Sequence, residues 1–153
     1  MYPYDIEESV EDALVAYLQS VMPSGMRHYT GGTEATLQYP CTVSECSSSQ
    51  NVSTTGLFTG RRQLVANIQL FVEAATEQVG GTAGRTPREV NREYRRALWT
   101  ALAYDALHEV LNALPPVGVA FSMAHPTTST RAVDGRVFTT VVTLDVIAQP
   151  VEV

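Results

Sequence analysis

The sequence contains no lysine. All ten of its cationic residues are arginine, set against sixteen aspartates and glutamates, for a net charge of −6. A chain this acidic is not a general nucleic-acid binder, which would carry a basic surface. The arginine-only set either follows base composition or suits contacts that want a planar, forked donor. Cysteine is scarce, with Cys41 and Cys46 alone. On an extended segment their spacing is too wide to bridge, and no histidine stands near enough for a zinc site, so reduced thiols are expected. No apolar run approaches the ~20 residues of a membrane span. The first residues, MYPYDIEESVEDAL, lack the basic start and apolar centre of a signal peptide, so a cytosolic place of synthesis is expected. Histidine is limited to the scattered His28, His108 and His125. The glycines of residues 75–85 (ATEQVGGTAGR) have neither the Lys-Ser/Thr ending of a phosphate loop nor dinucleotide spacing.

With 153 residues, the chain is expected to form a single domain, 1–153, large enough for a proper core. It is organised around Thr86 to Pro116. Thr86 and Glu89 make a capping box, Pro87 suits the first helical position, and Pro115 and Pro116 stop a helix. The signals predict a helix of about 27 residues, roughly 40 Å long. Val90, Tyr94, Ala97, Leu98, Ala101 and Tyr104 share one side. The other begins with Arg88, Arg92, Arg95 and Arg96 and turns apolar from Trp99 through Leu114. An apolar second half on both sides predicts burial on both. Cations near a helix start oppose its dipole. The arginines therefore form either a solvated face interleaved with Glu89 and Glu93, or a contact surface for an acidic partner.

Before this helix, Asp5 and Glu8 start another, about 5–22, with Glu7, Glu8, Glu11 and Asp12 outside. A strand is expected at about 41–48, followed by a polar loop or twisted extended segment over 47–56. Residues 26–39 have no clear period. Arg61–Ala74 alternates strongly, with Leu64, Ala66, Ile68, Leu70 and Val72 on one face. After the prolines, Val117, Val119, Phe121 and Met123 share a strand face. A last strand, about Arg136–Ala148, turns Phe138, Val142, Leu144 and Val146 inward. Asp134-Gly135 signals a tight hairpin between these two, whose tip is expected to project and to carry Arg131 and Arg136. The expected fold is α+β: a mainly antiparallel sheet of about four strands, packed against one long and one shorter helix, with a projecting β-hairpin.

No catalytic constellation emerges. Asp105, His108 and Glu109 lie close on the long helix, and Asp105 and His108 share a face, but other strong metal ligands are not near. His108 reads as a hydrogen-bonded, half-buried residue or, alternatively, as part of a small ligand or enzyme site. Ser47–Ser49 lack a nucleophile elbow, and Asp145 is expected to face outward. The expectation is no enzyme, no cofactor and no metal. Arg88, Arg92, Arg95, Arg96, Trp99, Arg131, Asp134 and Arg136 are the candidate interface.

The acidic first helix, the strand RRQLVANIQLFVEA, the helix REYRRALWTALAYDALHEVLNAL and the closing DGRVFTTVVTLDVIAQP resemble the tail-terminator (tail-completion) proteins of long-tailed bacteriophages, in size and element order over most of the chain. The resemblance implies a virion protein assembled as a hexameric ring. Such a ring caps the tail tube at its head-proximal end, stops tube polymerisation and joins the tail to the head connector, with DNA passing through the lumen. The implied partners are copies of the chain, the tail tube protein and the neck proteins, with no membrane. Another head–tail joining or minor tail protein of similar size is the alternative.

Overall fold

A computed structural model describes residues 6–32, 36–51, 61–73, 86–103, 105–114 and 118–151. Asp5, the 75–85 loop, Tyr104, Pro115, Pro116 and Val117 lie outside the described residues, and so do residues 52–56 of the polar stretch 47–56. The elements in order are α1 (Ile6–Val21), β1 (Arg27–Thr30), β2 (Cys41–Asn51), β3 (Arg62–Glu73), α2 (Pro87–Leu102), α3 (Leu107–Asn112), β4 (Val119–Asp134) and β5 (Val137–Pro150). The strands form one five-stranded sheet, ordered β1-β2-β3-β5-β4. Every pair is antiparallel except β1 with β2, which is parallel. The fold is α+β, with helices packed on a mostly antiparallel sheet.

The core lies between the sheet and α1, α2 and α3. Alternation puts Leu64, Ala66, Ile68, Leu70 and Val72 of β3 inside, and Val142, Leu144, Val146 and Ala148 of β5 beside them. Helical spacing brings Val10, Leu14, Tyr17 and Leu18 of α1 and Val90, Tyr94 and Leu98 of α2 onto that face. At about 25 cal/mol per Å² of apolar surface, this layer is the main stabilising term. The Thr86 cap forms: the Glu89 N–H donates to Thr86 Oγ1 at 3.2 Å.

The structure corrects four expectations. The long helix is two helices, broken at 103–106, with non-helical backbone at Ala103 (ψ 49°) and Ala106 (φ −119°, ψ 49°). In an unbroken helix the Ala101 carbonyl would accept from the N–H four residues on. Here the buried Tyr17 hydroxyl of α1 donates to it instead. The break lets α3 turn onto β4, burying Leu107 and Leu111. Second, the sheet gains β1, which pairs in parallel through Arg27↔Cys41 to Thr30↔Ser44. Third, a bulge between Phe121 and Met123 swaps the facing of β4, so Ala124 is buried and Met123 only partly so. Fourth, β4 runs on through the residues expected to form the projecting tip, to Asp134, which pairs with Val137. The turn is therefore Gly135-Arg136, with Gly135 at φ +60°, as a glycine-first hairpin turn requires. β5 stays paired with β3 down to Val137↔Glu73. The β4–β5 ribbon is thus the uncovered edge of the sheet, exposed from His125 to Arg136, and not a free-standing arm.

Candidate interaction site

The site is built between α2 and the outer edge of the sheet. Arg88, Asn91, Arg92 and Arg95 follow at spacings of three and four, so they form a stripe on α2. On the sheet side, Arg131 pairs with Thr140 and Val133 with Phe138. Cross-strand partners share a face, and Thr140 faces the core at 1% exposure. Arg131 and Val133 therefore point to the helical side. α2 ends its cover short of them, leaving a cavity of about 460 Å³ lined by Arg88, Asn91, Arg92, Arg95, Arg131, Val133 and Phe138.

The cavity is cationic. Among the described residues, Arg88, Arg92, Arg95, Arg96 and Arg131 have no carboxylate partner. The Arg95 guanidinium is half-buried, and its Nε has no hydrogen-bond partner. Burial holds its pKa below the ordinary value, and the charges of Arg131, Arg92, Arg88 and Arg96 lower it further. Asn91, 7% exposed, also leaves its Oδ1 without a partner. A buried polar atom left unpaired costs roughly 1–3 kcal/mol. The clustered guanidinium charge of this pocket suits an acceptor-rich, negatively charged group, whereas Asn91 Oδ1 would be satisfied only by a donor.

Next to it runs an apolar groove of about 270 Å³, lined by Trp99, Leu102, Pro126 and Val142 with the threonines of β4. Arg95 joins the two depressions, its guanidinium 5.2 Å from the Trp99 ring centroid. Trp99, the chain's one tryptophan, is 44% exposed. A tryptophan beside an arginine cluster is the composition of an interface anchor.

Of the candidate interface residues, the structure brings Arg88, Arg92, Arg95, Arg131 and Trp99 together. Arg96 is exposed outside the cavity, and Asp134 and Arg136 are exposed at the hairpin end. Asn91, Phe138 and Pro126 belong to the site but were not among the candidates. Asn91 was readable from its place in the 88/91/92/95 stripe. Pro126 lies beyond the strand face that the alternation marks at Val117–Met123.

The second candidate constellation does not assemble. The helix break leaves Asp105 exposed in a turn ahead of α3, while His108 and Glu109 lie within α3. Among the described residues, no group of three His, Cys, Asp or Glu side chains could hold a metal. His28 bonds Thr42 Oγ1 through Nδ1 at 2.7 Å, and burial lowers its pKa. Cys41 and Cys46 are not joined in a disulfide, and burial pushes the Cys41 thiol up to about 11. No described helix is long and apolar enough to cross a membrane. No protein-family model matches the chain, and no curated protein matches it.

Proposed function

We propose that this is a structural virion protein that forms a ring at the head-proximal end of a phage tail, ends tube polymerisation and joins the tail to the head connector. One observation supports an assembly role above all. The sixteen-residue edge strand β4 is uncovered along its second half and flanks an arginine pocket that has no carboxylate partner among the described residues. Long open edges invite pairing and are normally blunted. Here Pro126 and two bulges blunt the first half, while Thr128–Asp134 is regular and open. An acidic chain also suits a channel that DNA must cross without sticking. The partners in this reading are further copies of the chain, the tail tube protein and the neck proteins.

The test is the mass of the purified protein by light scattering, negative-stain images, and a tube-capping assay with polymerising tail tube protein. Six subunits of 16.6 kDa give about 100 kDa. Ring-shaped particles of that mass that stop tube growth are expected. A protein that neither forms rings nor binds tube ends sinks the reading. One that binds only the head connector is a joining protein instead.

A further inference from the structure

We propose that the arginine pocket is filled by the acidic face of α1 from a second copy of the chain, in a head-to-tail contact. This deepens the ring reading and rests on it only for closure of the ring. Both surfaces are on the molecule, and they lie on opposite sides of it. α1 packs over β1 and β2, at one edge of the sheet. The pocket opens between α2 and β4–β5, at the other edge. A contact between two different surfaces on opposite sides is heterologous, the kind that builds rings or filaments and not closed pairs.

The two surfaces match in shape and spacing. The pocket is concave, with a volume of about 460 Å³, and the outer face of a helix is a convex ridge. Glu8 and Asp12 are exposed, one turn apart on α1. Arg88 and Arg92 are exposed, one turn apart on α2. Both pairs therefore repeat at about 6 Å, so two antiparallel helices can place each carboxylate against a guanidinium. Glu45 adds further negative charge at the base of α1, beside Glu7 and Glu11, where the Glu7–Arg62 ion pair at 3.7 Å offsets part of it. Arg95 adds a third guanidinium to the lining of the pocket.

The test is a charge swap read by analytical ultracentrifugation. One variant carries Glu8→Arg and Asp12→Arg, the other Arg88→Glu and Arg92→Glu. All four residues are exposed, so both variants should fold, which far-UV circular dichroism checks. Each variant alone should self-associate at least about tenfold more weakly than wild type, because like charges then face each other. Mixed in equal amounts they should recover assembly, since each contact again joins opposite signs. Wild-type association should also weaken as salt rises to about 0.5 M. Wild-type protein that associates while neither variant weakens overturns the pairing and leaves the ring reading standing. Loss in both variants without recovery on mixing also overturns it. A wild type that stays monomeric overturns it too, and tube capping then tests the ring reading separately.

Discussion

Tyr17→Phe isolates the contact that divides the helical segment. The Tyr17 side chain is 1% exposed, and its hydroxyl donates to the Ala101 carbonyl across the α1–α2 contact. The substitution keeps the ring and removes only the donor. A net hydrogen bond is worth about 1 kcal/mol, and a carbonyl left buried without a partner adds about 1–2 kcal/mol. Destabilisation of about 2 kcal/mol is therefore expected. For a chain of this size, that lowers the Tm by about 4–8 °C. Urea unfolding followed by far-UV circular dichroism measures it, with the slope against denaturant unchanged. Tyr29→Phe is the control, because its hydroxyl accepts from the Gln38 N–H in an exposed bond of 3.3 Å and should cost under about 0.5 kcal/mol. The freed Ala101 carbonyl can also recapture its helical donor, which would raise helicity at residues 103–106. If Tyr17→Phe matches wild type in both midpoint and helicity, the hydroxyl neither holds α1 to α2 nor breaks the helix.

Three further outcomes are expected. Asn112→Ala should cost about 1–3 kcal/mol in urea unfolding, because Asn112 both donates to the Phe121 carbonyl and accepts its N–H, each at 2.8 Å; Asn112→Asp keeps the acceptor and should recover about half. His28 is held neutral by burial below its ordinary pKa of 6.5, so the unfolded chain takes up the proton first as pH falls. Its contribution to stability is present above pH 6.5 and is lost as pH drops through that value toward the folded pKa. Urea midpoints at about pH 7.5 and 5.5 should therefore differ less in His28→Gln than in wild type; an equal difference in both would contradict the assignment. With its thiol at about 11 and fully buried, Cys41 should resist iodoacetamide in the native protein, while the half-buried Cys46 reacts; mass spectrometry of labelled peptides would show equal labelling if burial did not protect Cys41.

The strand β3 was legible because its alternation is continuous and its partners lie on both sides. β2 was only half legible, because its polarity is inverted. Register places Thr42, Ser44 and Cys46 on the side of Leu70, Ile68 and Ala66, facing α1, while Cys41 and Val43 face away. Polar residues on the core side erase the hydropathy signal; two of them are held by bonds no local pattern announces, His28 to Thr42 and the Cys46 thiol donating to the Glu7 carbonyl at 3.6 Å, while the buried Ser44 Oγ has no partner among the described residues. β1 was invisible for the same reason. Arg27–Thr30 has no buried residue of its own and is a strand only through its parallel pairing with β2. Gly31 follows because Glu45 lies against it: a Cβ there would come within 2.6 Å of the Glu45 side chain.

The candidate site was legible to the extent that errors of register cancel. On α2 the stripe follows from spacing alone. The facing of Arg131 depends on where β4 begins and where it turns. Asp134-Gly135 as the central turn pair would set Arg131 opposite Phe138, whereas the observed Gly135-Arg136 turn sets it opposite Thr140. Both partners lie on the core side of β5, because a shift of two residues preserves the face that a shift of one would reverse. From the other end, Val119 and Phe121 point inward, the first bulge hands the inner face to Ala124 and Pro126, and the second returns it to Ser129, Arg131 and Val133. Each bulge reverses the alternation once, so the pair restores it. Deleting either bulge alone would leave one end of β4 facing outward. It would turn either the core residue Phe121 or the pocket residue Arg131 away from the helices, and this couples the integrity of the core to the shape of the arginine pocket.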